Sequence, residues 1–268
     1  MPSLDAPEKA ATAKPGGAET ATAKALRLCF IGDSNLAALK LGHDGGIAEA
    51  AGVDISFYGA PGPDFRALRY SDGVIVPDPQ AVEAVKLVTG GDRINFDAAE
   101  VDVVAFFAAR FRVQAFFEEF LHRASVPGAF VSAQVRMRAL EALAMSTRYV
   151  RAAFDMAARG HRVIFVPTPF LTDAIAGDPL AKAPMAAQAT PDDRAALWDE
   201  IEGFFAARGV TLLRQPDETV VRGCLTDPAF AAIGAEAAGD AVHKSAEYGA
   251  MVIRQVLASL ETAEISAK

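Results

Sequence analysis

Short apolar runs recur along the chain, each closed by Gly or Pro and each followed by a longer stretch with helical spacing. The first, residues 25–31, reads A-L-R-L-C-F-I and stops at Gly32. Similar runs cover residues 53–58, 101–107, 162–166 and 210–213. A continuous apolar run of this length is the mark of a strand buried on both faces of a parallel sheet. Helical character is predicted for residues 35–51, 113–123, 131–159, 191–208 and 245–261. Gly160 and Gly209 stand where C-terminal glycines end helices, and Thr190-Pro191 is an N-cap followed by a first-turn proline. Strands alternating with helices predict an α/β fold, a parallel sheet of about five strands with helices on both faces. Residues 63–100 are mixed, with turns at Pro77-Asp78-Pro79 and Gly90-Gly91. Residues 172–190, rich in Ala, Pro and Gly, read as a loop or lid.

Residues 1–24 hold Ala, Thr, Lys, Pro and Gly without periodicity and are expected to be a disordered tail ahead of one domain at 25–268. That stretch has no apolar core of a secretory signal, and nowhere does the chain reach the roughly 18 apolar residues of a membrane span. A cytoplasmic protein is expected. The formal net charge of −8 argues against nucleic acid and anionic membrane as partners, since both require clustered Lys and Arg. Local basic patches, such as one around Arg136, Arg138 and Arg148, are compatible with that total. Two cysteines, Cys29 and Cys224, form no metal or redox spacing. Cys29 is expected to be a buried small hydrophobe.

Ligands of parallel sheets bind beyond the carboxyl ends of the strands. The first such end reads Gly32-Asp33-Ser34-Asn35. Gly-Asp-Ser arises by chance in about one chain in twenty of this length, so its position is what gives it weight. A serine at a strand-to-helix turn sits among free backbone N–H groups at the positive end of a helix dipole, which favours developing negative charge. The plainer alternative is an N-cap serine. At the far end, Asp240-Ala241-Val242-His243 precedes the last helix. Three residues of separation in a turn let a carboxylate reach the imidazole Nδ1 and leave Nε2 for a nucleophile. His43, followed by Asp44, is a rival base. His122 and His161 are expected to be structural or solvent-facing.

These two end blocks resemble those of the SGNH (GDSL-like) hydrolases, and the likeness in layout runs from about residue 26 to 260. It implies a flavodoxin-like fold of three layers, α/β/α, with Ser34 as nucleophile, His243 as base and Asp240 as the group that orients it. It also places an oxyanion-hole glycine at Gly59, with Gly62 as a rival, and the Ser34 N–H beside it. Tyr248-Gly249 resembles the family's last helix and would pack close to the sheet. The family's Asn after the third strand is missing, because residues 108–112 read A-A-R-F-R. Arg110 is the candidate replacement, with Arg112 and Asn35 as alternatives. Asp33, Asn35 and Arg112 are candidate substrate contacts. The implied activity is ester hydrolysis or acyl transfer on a small-molecule ester, such as an O-acetylated carbohydrate, without cofactor or metal. Two other readings stay open: an inactive binding or scaffolding module, motivated by the missing Asn, and a domain that binds phosphate or FMN near Asp33–Asn35.

Overall fold

In chain order the computed structural model, which describes residues 25–48, 52–91 and 93–266, contains β1 (Leu26–Gly32), α1 (Leu36–Asp44), β2 (Val53–Gly59), β3 (Leu68–Ser71), β4 (Val74–Pro77), α2 (Val82–Thr89) and β5 (Phe96–Asp97). There follow β6 (Val103–Ala108), α3 (Gln114–Ala124), α4 (Ala133–Ser146), α5 (Arg148–Ala158) and β7 (Arg162–Pro167). The last third holds α6 (Pro191–Ala206), β8 (Val210–Leu212), β9 (Val220–Val221), β10 (Leu225–Thr226), α7 (Ala235–Ala238) and α8 (Ala246–Ser266). The expected tail at 1–24 lies outside the described residues.

The five apolar runs make one parallel sheet in the order β2-β1-β6-β7-β8. Its strands alternate between two cores, as a period of two requires. Leu28 and Phe30 of β1, Ala105 and Phe107 of β6, and Ile164 and Val166 of β7 face α1 and α8. Cys29, Ile31, Val104, Phe106 and Phe165 face the opposite layer, built from α2 to α6. The fold is therefore three-layered α/β/α. The chain leaves β1 toward β2 on one side and crosses to β6 on the other, so the crevice beyond the ends of β1 and β6 is the switch point where such sheets bind ligands.

Three expectations need correction, and the mixed stretch at 63–100 gains a definite form. The helix foreseen at 131–159 is two helices. At Thr147 the backbone turns extended (φ −90°, ψ 115°), and the hydroxyls of Ser146 and Thr147 both donate to the Leu143 carbonyl. Local hydroxyl bonding of this kind competes with the helical ladder. Residues 63–100 contain a second, antiparallel sheet in the order β3-β4-β5. Residues 172–190 are pinned rather than lid-like. Leu180, Ala183 and Ala186 are buried in the core, and Gly223 approaches Ala186 so closely that a Cβ there would lie 2.0 Å from its carbonyl oxygen. Gly249 packs against α1 rather than the sheet: a Cβ on it would stand 2.0 Å from the Ala38 carbonyl oxygen.

Candidate active site

β1 delivers the turn that carries Ser34. Gly32 must be glycine, because a Cβ there would lie 2.5 Å from the Phe107 carbonyl of the neighbouring strand. Asp33 and Asn35 shape the turn. Asp33 Oδ1 accepts from the Asn35 backbone N–H at 3.0 Å and from its side-chain amide at 2.9 Å. Both residues are buried. They frame Ser34 from beneath rather than standing open to a substrate, contrary to the contact role expected for them. The Ser34 N–H donates to no protein group among the described residues.

On the other side a short loop between α7 and α8 carries Asp240 and His243. Asp240 Oδ1 accepts the backbone N–H groups of Val242 at 2.9 Å and His243 at 3.2 Å, while Oδ2 meets His243 Nδ1 at 2.6 Å. His243 Nε2 then lies 2.9 Å from Ser34 Oγ. The structure thus brings Ser34, His243 and Asp240 into one hydrogen-bonded row across 209 residues of sequence. Partial burial opposes ionisation of Asp240, but the bonds from the His243 ring and the two backbone N–H groups outweigh it and hold its carboxyl below the ordinary range. The loop is fixed at both ends. The Ala241 carbonyl accepts from Thr172 N–H at 2.8 Å, and the His243 carbonyl accepts from Ala232 N–H at 3.2 Å.

His43 is not brought to Ser34. It lies near the far end of α1, about 13 Å along the helix, where its ring packs on Phe57. His122 Nδ1 accepts from the Met185 N–H at 3.2 Å, a structural role.

Gly59 is in register with Gly32 at the end of β2, and its hydrogen is dictated by contact: a Cβ would sit 2.0 Å from the Gly32 carbonyl oxygen. Gly62, the rival, has φ +51° in open space, so it serves the loop rather than a close approach.

After β6 the chain does something costly. Ala108, Ala109 and Arg110 are consecutive left-handed residues, with φ of +58°, +40° and +63°. Each such non-glycine residue costs about 1–2 kcal/mol, and clustered strain of this kind is a feature of functional loops. Thr168 supports the loop from β7: its N–H donates to the Phe111 carbonyl at 3.0 Å and its hydroxyl to the Ala108 carbonyl at 3.3 Å. The strain presents Arg110, whose Nη2 donates to the Gly62 carbonyl at 3.0 Å and whose Nε is buried without a partner. Burial, with Arg66 and Arg112 nearby, pulls this guanidinium below its ordinary value, and Asp33 opposes the shift. Arg112 is exposed.

One residue beside the row escaped sequence reasoning. Lys244 is buried, and its Nζ donates to the carbonyls of Ala241 at 3.1 Å and Val242 at 2.9 Å, within the loop that carries Asp240 and His243. Burial pulls its amine down to about 7, and Asp240 opposes the shift. No periodicity signals a lysine turned inward from a loop. The two thiols sit elsewhere, Cys29 pushed up to about 11 and Cys224 to about 12 by burial. Among the described residues, no group of three or more His, Cys, Asp or Glu is arranged to hold a metal ion, and no helix is long and apolar enough to cross a membrane.

No protein-family model matches the chain, and no curated protein matches it. Among solved structures, it is similar to a carbohydrate esterase family 2 enzyme plus carbohydrate-binding domain from Corynascus thermopiles (Myceliophthora fergusii). That match covers 89% of this chain and 68% of the other, at 12% identity and a TM-score of 0.36.

Proposed function

We propose that this chain is a serine esterase or acyltransferase working through Ser34, His243 and Asp240 on a small acyl ester such as an O-acetylated carbohydrate. The observation that carries this reading is the row of contacts from Ser34 Oγ to His243 Nε2 at 2.9 Å and from His243 Nδ1 to Asp240 at 2.6 Å. It has the nucleophile–base–orienter geometry of covalent acyl transfer.

Ser34 Oγ attacks the ester carbonyl carbon as its proton passes to His243 Nε2. Asp240 stays ionised and stabilises the imidazolium. The carbonyl oxygen becomes an oxyanion, facing the free Ser34 N–H at the start of α1, with the loop at Gly59 and the side chain of Arg110 as further donors. Collapse of this intermediate expels the alcohol, which takes the proton from His243, and leaves an acyl-Ser34. Water or a second hydroxyl then gives up a proton to His243 and takes the acyl group. An inactive binding module would have no need of the 2.9 Å contact.

The test is labelling with a fluorophosphonate probe together with hydrolysis of 4-nitrophenyl acetate. Wild type is expected to label and turn over, and Ser34→Ala and His243→Ala to do neither. A folded wild type that neither labels nor hydrolyses would overturn the proposal.

A further inference from the structure

Arg110 also lines an arginine-rich cleft. A chamber of about 260 Å³ is bordered by Phe65, Arg66, Ala109, Arg110 and Arg148. A larger one, about 660 Å³, follows it. Arg66 and Arg148 line both, and Arg69, Arg151, Asp78 and Asp155 complete the charged lining of the second. The charges do not cancel. Asp78 is held by Arg69, and Asp155 by Arg159 and the Tyr70 hydroxyl. Arg66, Arg110, Arg148 and Arg151 form no ion pair among the described residues. Their polar contacts are with backbone carbonyls: Arg148 with those of Arg66 and Leu68, Arg151 with that of Met145, Arg110 with that of Gly62.

The chain carries a net charge of −8, and most of its other arginines face a carboxylate. Four unmatched guanidinium groups on one cleft run against that trend. Packing does not require them, since Arg66, Arg148 and Arg151 are exposed. Like charges this close repel, a cost that a bound anion would remove. Arg110 ties the cleft to the strand ends at Ser34: it lines the smaller chamber and donates to the Gly62 carbonyl, in the loop after β2, whose last residue Gly59 is paired with Gly32 ahead of Asp33 and Ser34.

We propose that the substrate is an anionic ester, and that the cleft from Arg110 through Arg66 and Arg148 to Arg151 holds its oxyanion group while Ser34 takes the acyl carbon. Guanidinium forks suit both carboxylate and phosphate, because two parallel N–H donors meet two oxygens. The inference rests on the serine esterase reading for the chemistry, but the cleft's preference for anions can be measured without it.

Three mono-O-acetylated probes separate the possibilities: methyl glucoside, methyl glucuronide, and methyl glucoside phosphorylated on its primary hydroxyl. With wild-type protein at low salt, kcat/KM for at least one anionic probe is expected to exceed that for the neutral one by roughly tenfold or more, the scale of one charge-assisted hydrogen-bonded contact. The uronate and phosphate arms tell which oxyanion is favoured. That preference is expected to fall roughly tenfold in Arg66→Gln/Arg151→Gln, and also with rising ionic strength. In parallel, the same three glycosides without the acetyl group are titrated calorimetrically into Ser34→Ala. If no ester is turned over yet the anionic glycosides alone bind, the cleft inference stands and the esterase reading fails. Equal kcat/KM for all three esters, with no preferential binding of either anion to Ser34→Ala, would overturn the cleft inference and leave the serine chemistry intact.

Discussion

Replacing Asp240 by Asn tests the row at its least visible link. Oδ1 of Asp240 accepts two backbone N–H groups, from Val242 and His243, and Oδ2 faces His243 Nδ1 at 2.6 Å. An asparagine has one acceptor oxygen and one NH2. Turned with its nitrogen toward the backbone, it sets a donor against two donors. Turned the other way, it keeps both backbone bonds and sets its NH2 against Nδ1 alone. The second arrangement is favoured, and it forces His243 into the tautomer that bears its proton on Nε2. That nitrogen lies 2.9 Å from Ser34 Oγ and then has no lone pair to accept the hydroxyl proton. A base locked in the wrong tautomer costs about 10⁴ in kcat, or about 5 kcal/mol of barrier. The assay is turnover of 4-nitrophenyl acetate beside urea unfolding. Asp240→Asn is expected to lose activity on that scale with its unfolding midpoint close to wild type. Asp240→Ala, which strips both backbone N–H groups of their acceptor, is expected to lose roughly 1 kcal/mol of stability as well. Activity of Asp240→Asn within tenfold of wild type would refute the assignment of Asp240 as the orienting group.

Removing the side-chain donor in Arg110→Met is expected to lower kcat by about 10² to 10³; an unchanged kcat would take Arg110 out of the oxyanion site. In Gly249→Ala the new methyl would meet the Ala38 carbonyl at 2.0 Å, backbone against backbone, and a loss of about 1–3 kcal/mol in urea unfolding is expected; wild-type stability would refute the close approach. Lys244 titrates near 7 in the fold against an ordinary 10.5, so the unfolded chain holds more protons across that window and stability rises with pH through it, by at most about 1.4 kcal/mol per unit. Below about 7 both states carry the proton and the slope vanishes; Lys244→Met is expected to lack the rise, and parallel stability curves for the two proteins from pH 7 to 9 would exclude it. Native protein is expected to leave Ellman's reagent unreacted at Cys29 and Cys224, both buried and both raised, and to react at both once unfolded; rapid native reaction at either would contradict their burial.

The sheet was legible because burial on both faces writes an unbroken apolar run, and all five runs became its strands with ends shifted by two residues or fewer. The antiparallel sheet was not, because L-R-Y-S, V-I-V-P and F-D are too short to show a period. The break at Thr147 was hidden for a different reason: alanine-rich helical spacing continues through it, and only the hydroxyl bonds to Leu143 reveal the stop. At the site, residues adjacent in sequence were readable as blocks, Gly32-Asp33-Ser34 and Asp240 to His243. What topology alone assembles was not. Arg66 precedes β3, Arg110 follows β6, and Arg148 and Arg151 share the first turn of α5; nothing in the sequence shows that these three segments meet. Asp33 and Asn35 fell between the two cases: their place was right, but their burial depends on a turn that the letters do not describe.

The contact between Ser34 and His243 raises the question of what holds two loops 209 residues apart to the tolerance of one hydrogen bond. The helices that follow them supply the answer. α1 begins two residues after Ser34, α8 three residues after His243, and they meet backbone to backbone. A Cβ on Gly42 would lie 2.6 Å from the Ala246 carbonyl, and one on Gly249 would lie 2.0 Å from that of Ala38. Two glycines thus let the helices that start beside Ser34 and His243 share one interface, and the approach leaves no room for sliding. The backbone around the base is tied as well: Lys244 bridges to Ala231, and the Lys244 amine gathers the two carbonyls ahead of His243. Preorganisation of this sort is what a triad needs, because a misplacement of about 1 Å in a reacting group can cost about 10² in rate. The segment read as a loop or lid contributes to the same support at its first residue, where the Thr172 N–H holds the Ala241 carbonyl of the loop that carries His243.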